Sequence, residues 1–174
     1  MAHLERSAKT MKLKIVVFTI LVIVGFLWLL TAVAAPALTP LEISDDDPEM
    51  KAARAKAQAT LKDFVTLYRK YPDGAMVKWP FVTASGQKEY LGAEVLSIDG
   101  DRLKIRLVTP PATHTGKLER EYSVHIKDIA DWVIVLPGDK RKGGFTMRVM
   151  FKVGRKQWGD LPKELKIEES KYVD

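Results

Sequence analysis

Four polar residues, Lys78, Glu89, Asp131 and Arg148, could do acid–base chemistry in this chain if the fold gathered them into one cleft. A carboxylate beside a lysine in a partly buried cleft has its proton affinity moved, and either group can then act as a general acid or base. Sequence separation says nothing about whether they converge. Two short stretches add to the interest. Asp131 precedes Trp132, and Gly143-Gly144-Phe145-Thr146 runs into Arg148. An indole at a strand start fills core and places its N–H on a nearby carbonyl, while an aspartate there caps a turn or accepts from a backbone amide. Paired glycines let the chain turn with positive φ or admit a ligand close to the backbone. This pair lacks the spacing of a phosphate loop, and its surroundings predict no helix behind it. The candidate binding surface is therefore Lys78, Glu89, Asp131, Trp132, Gly143, Gly144, Thr146 and Arg148, with no catalytic, cofactor or metal ligand assigned.

Other chemistry lacks its parts. There are no cysteines, which excludes disulfides, thiolate nucleophiles and cysteine metal sites. The three histidines, His3, His114 and His125, show no paired spacing for zinc. Ser123, His125 and Asp128 assemble a triad on paper. Alternation makes the first two same-face neighbours of one strand, with no nucleophile turn or oxyanion loop beside them. Asp45-Asp46-Asp47 reads as a helix start, because calcium loops space their carboxylates and add a distal bidentate one.

The elements that must position these residues form an α+β pattern. Pro48 and Glu49 follow the aspartates, and apolar residues recur at Met50, Ala53, Ala57, Leu61, Phe64 and Tyr68. That spacing predicts one amphipathic helix, ended by Tyr71-Pro72-Asp73-Gly74. From Ala75 the period becomes two: Val77, Trp79 and Phe81, then Glu89 to Ile98, then Asp99-Gly100 as a hairpin turn into Leu103, Ile105 and Leu107. Tyr122, Val124 and Ile126 continue it, and Trp132 to Leu136 and Phe145 to Val153 complete about six strands around the loop PGDKRKGG. A helix packed on a bent antiparallel sheet or small barrel is the expected result. Lys163 to Lys171 reads as a short helix in a tail, 157–174, that docks weakly or frays.

Location follows from Ile15 to Ala35, an apolar run without a charge behind Arg6, Lys9, Lys12 and Lys14. Roughly twenty-one helical residues span about 31 Å, enough for the hydrocarbon of a bilayer. The run is expected to be a transmembrane helix. The alternative is a signal peptide cut after Ala32-Val33-Ala34, for which Met11 is a possible start. Both keep 1–14 as a cytoplasmic basic tail and export a linker at 36–46 and an α+β domain at 47–156, with the inner membrane or the periplasm as destination. Half of the formal +6 charge lies in residues 1–35, so nucleic acid is not an expected partner of the exported part.

The motif order DDPEM, KAQATLKDF, KEYLGAEVLSIDGD, IKDIADW and GGFTMRV resembles the bacterial domain-of-unknown-function family 2314, the YegJ-like proteins, over roughly Asp46 to Phe151. The resemblance implies an α+β fold and no established activity. Members typically carry Glu-His-aromatic-Trp where this chain has Glu89-Tyr90-Leu91-Gly92, so a role resting on that histidine and tryptophan does not carry over. The expected function is a membrane-anchored, exported binding or interaction module without catalysis, its protein or envelope partner unknown. The alternative is a small envelope-acting enzyme with a polar cleft around Glu89 and Asp131.

Overall fold

The computed structural model describes residues 39–174 apart from Glu42, Gln87 and Gly116. The basic tail, His3, the apolar run at 15–35 and the first part of the linker lie outside the described residues. Among the described residues, no helix is long and apolar enough to cross a membrane. Pro40–Asp174 form one compact unit.

The unit opens with α1 (Pro48–Ala59) and α2 (Leu61–Lys70). Asp47 caps α1, its Oδ1 accepting from the Met50 amide at 3.0 Å, and Pro48 occupies the first turn. The expected single helix is in fact two. Thr60 breaks it, with φ −107° and ψ 16°, and its hydroxyl donates back to the Lys56 and Ala57 carbonyls. Such back-bonding competes with the helical ladder and bends the chain. The apolar stripe survives the bend, and Met50, Ala53, Ala57 and Phe64 are all buried.

Strands β1 (Met76–Val82), β2 (Lys88–Asp99), β3 (Arg102–Leu107) and β4 (Glu121–His125) make an antiparallel meander, with Asp99-Gly100 as the tight turn expected. A bulge between Val95 and Ser97 bends β2. The chain then returns to the free edge of β1 with β5 (Asp131–Leu136), followed by β6 (Lys140–Gly143) and β7 (Tyr172–Val173). The sheet order is β4-β3-β2-β1-β5-β6-β7. It has seven strands rather than six and does not close, because β4 and β7 remain its edges. The barrel alternative is therefore corrected. So is full antiparallel order, since β6 and β7 run parallel.

Two further expectations fail in the second half. Phe145–Trp158 is an α-helix, α3, and not a strand. Its residues alternate, but Met147, Phe151, Gly154 and Trp158 also keep the four-three-four spacing of a helix, and Phe151 and Gly154 are buried. A helix thus does follow the glycine pair. The loop PGDKRKGG also contains β6, entered through Gly138 (φ 75°) and Asp139 (φ 58°), which fold the chain back on β5. The tail is pinned rather than frayed. After α4 (Lys163–Glu169), β7 lies on β6, and Arg148 donates to the Val173 carbonyl at 2.6 Å and to Asp174 at 3.0 Å.

One sheet face carries the core: Val77, Phe81, Leu91, Ala93, Val95, Leu103, Ile105, Val124, Trp132 and Ile134 pack with Ala57 and Phe64 from the helices. The residues between them, including Lys78, Gly92 and Asp131, point to the opposite face by the two-residue alternation of a strand. The site lies there.

Candidate functional site

Lys78 sits at the centre of a ladder row, paired with Gly92 on one side and Asp131 on the other. Asp131 is 4% exposed, and its carboxylate accepts four hydrogen bonds. Oδ1 takes the Trp132 amide at 2.8 Å and the Phe145 amide at 3.2 Å, and Oδ2 takes the Thr146 amide and hydroxyl, both at 2.7 Å. Three of these donors, the Phe145 and Thr146 amides and the Thr146 hydroxyl, belong to the first turn of α3, whose N-cap, Gly144, has no side chain to offer the amides. A carboxylate from β5 therefore supplies the cap that the local sequence lacks, at the helix end that favours negative charge.

The Thr146 hydroxyl gives its proton to Asp131 and receives the Lys78 ammonium, at 3.1 Å, on its oxygen. Burial pushes the Lys78 amine below the ordinary lysine value. The Asp131 charge works against that shift, and Arg54 adds to it. Lys78 lines two hollows. One, of about 210 Å³, is lined by Met76, Lys78, Gly92, Val133, Met147 and Tyr172 among others. The second, of about 100 Å³, lies toward Asp45, Arg54 and Tyr90.

Gly143 and Gly144 make this junction possible, and both take the turn role. At Gly143, with φ 89°, a Cβ would stand 2.2 Å from the Trp132 carbonyl oxygen; at Gly144, with φ 66°, it would stand 2.2 Å from the Tyr172 ring. The Trp132 indole fills core as expected, 1% exposed, and donates to the Ala57 carbonyl and the Thr60 hydroxyl at 3.2 Å each.

Of the sequence candidates, Lys78, Asp131 and Thr146 thus meet directly, with Trp132, Gly143 and Gly144 as their frame. Glu89 and Arg148 stand apart. The Glu89 carboxylate is held by the Ala112 and Thr113 amides and the Thr113 hydroxyl, which keep it below the usual carboxylate range. It secures the loop after β3. Arg148 clamps the C-terminus, its guanidinium 5.8 Å from the Tyr172 ring centroid. The paper triad is dispersed in use: Ser123 accepts from Arg102 at 3.3 Å, and His125 faces Asp101 at 3.1 Å. The acidic cluster is likewise engaged, Asp45 with Arg54, Asp46 with Lys51, and Asp47 as a cap. Sequence reasoning missed Met76, Val133, Arg141, Met147 and Tyr172, which complete the larger hollow. Only Met147 had a signal, the helical spacing it shares with Phe151.

The molecule is thus an α+β domain whose open seven-stranded sheet carries helices and a hollow where α3 meets the face opposite the main core. The chain belongs to domain-of-unknown-function family 2314, uncharacterised proteins conserved in bacteria, whose family model matches residues 47–157. That match takes in α1 through nearly all of α3 and so includes every strand that builds the Lys78 row. No curated protein and no solved structure matches the chain.

Proposed function

We propose that this protein is a membrane-anchored, exported binding module that holds a small ligand without transforming it. The observation that carries the binding part is the hollow of about 210 Å³ beside Lys78, a largely apolar concavity with the cations Lys78 and Arg141 in its lining. Asp131 supports the non-catalytic reading: its oxygens are committed to four donors that cap α3, and a carboxylate so engaged is a structural fixture rather than a free base. The basic flank and the apolar run at 15–35 support export and anchoring. Cell fractionation with protease shaving tests the location. Full-length protein is expected in the membrane fraction, with the exported domain cut only from the periplasmic side. Cleavage at Lys140 to Lys142 by a cytoplasmic protease in intact cells would overturn it.

A further inference from the structure

Gly92 lies in the interior of β2, where glycine weakens a strand and is kept only for a reason. Its backbone supplies none, because its φ is not positive and a Cβ there would meet only the Thr109 hydroxyl, at an ordinary 3.5 Å. What the missing side chain does is leave room in front of Lys78, its ladder partner, and Gly92 lines the larger hollow. That hollow is short of acceptors. Among the described residues Lys78 makes one hydrogen bond, to Thr146, and its ammonium has three donors to place. Arg141, which also lines the hollow, is paired with Glu168 through Nη1, yet its Nε is shielded from solvent and has no partner. Asp131 does not meet this need, since its oxygens are filled by Trp132, Phe145 and Thr146. The remaining walls are apolar: Met76, Val133 and Met147, with the Tyr172 ring.

We infer that the hollow takes a small monocarboxylate with a short branched or aromatic body, its carboxylate on the Lys78 ammonium and its apolar part against Met76, Val133 and Met147. The inference rests on the binding-module reading and names the ligand class for that site. Carboxylate chemistry fits because a charge-assisted hydrogen bond to a half-buried ammonium is stronger than a neutral one; an uncharged carbonyl accepts more weakly, and a cationic head has no acceptor to offer. The volume of about 210 Å³ suits a molecule of a few carbons.

The test uses the full chain in detergent with ¹³C-methyl-labelled methionine, titrated separately with isovalerate, isovaleramide and isopentylamine. Isovalerate is expected to shift the Met76 and Met147 methyls saturably and leave Met50 in α1 unmoved, with the amide at least tenfold weaker and the amine silent. Gly92→Val fills the space without backbone strain, so it should abolish the shifts while the Met50 signal reports an intact fold. Lys78→Met should weaken isovalerate about tenfold and the amide clearly less. Equal binding of acid and amide would overturn the carboxylate assignment and leave the binding module standing. Silence from all three probes in the folded protein would overturn the site itself. Conversion of isovaleramide to isovalerate in the tube would instead overturn the non-catalytic reading.

Discussion

At Asp131 a single side chain holds together two elements that the chain separates by a hairpin. Its four accepted bonds leave little room for conservative change. Asp131→Asn keeps one acceptor oxygen and turns an NH2 group toward the Thr146 amide and hydroxyl, which are themselves donors. The expected loss is about 3 kcal/mol, the scale of buried donors left without acceptors, read as a lower urea midpoint with unchanged slope. Lys78 answers to pH in a defined direction. Burial lowers its proton affinity in the fold, whereas the unfolded chain keeps the ordinary value near 10.5. Between those two values the unfolded chain binds more protons, so stability climbs with pH and levels off once both forms are neutral. Unfolding free energies of wild type minus Lys78→Met should therefore rise from neutral pH toward 10.5. A flat difference would show that the amine is solvated.

Elements meet at the glycine pair, where β6 ends and α3 begins. Gly143 combines a φ of 89° with a space already occupied by the Trp132 carbonyl and ring. Gly143→Ala is expected to cost at least about 3 kcal/mol, from strain and overpacking together, visible as a large drop in the thermal midpoint. Gly92→Val should do the reverse and raise it slightly, since a β-branched residue suits an unstrained strand position. The contrast is one that composition cannot foresee. Both residues are glycines within strands, and only the neighbouring atoms say which is indispensable. α3 makes the same point for periodicity. Phe145, Met147, Val149, Phe151 and Val153 satisfy a period of two, Met147, Phe151, Gly154 and Trp158 satisfy a helical one, and Asp131 settles the choice by capping the first turn from β5.

For the whole molecule the deciding question, on the proposed export, is whether the domain stays tethered. An anchor leaves the N-terminal charges on the mature protein, which then extracts only with detergent. Processing after Ala34 would produce a chain beginning at Ala35 and released by osmotic shock. Intact-mass analysis of the membrane fraction is expected to give the full-length value, unaltered by Ala34→Trp. A shortened mass that this substitution restores to full length would replace the anchor with a signal peptide, because the peptidase accepts only small side chains there. If the domain is exported as proposed, either result limits the ligands that can reach Lys78 to those of that compartment.

The α+β class, the first helical stripe, the strands from Met76 to Leu107 with their Asp99-Gly100 turn, and the place of Trp132 in the core are all legible along the chain. These are local properties: alternation, turn chemistry and capping act over a few residues, so the chain states them openly. Of its eight candidate residues the fold gathers six, Lys78, Asp131, Trp132, Gly143, Gly144 and Thr146, at one junction. The remainder is non-local and depends on how the elements pack. The return of β5 to the free edge of β1 put Asp131 beside Lys78, 53 residues away in number. The docking of β7 on β6 brought Tyr172 to the same hollow, and the loop after β3 drew Glu89 away from it. Strand order in a sheet is chosen by which edges remain free to hydrogen-bond and which faces remain to be buried. No spacing along the chain records that choice.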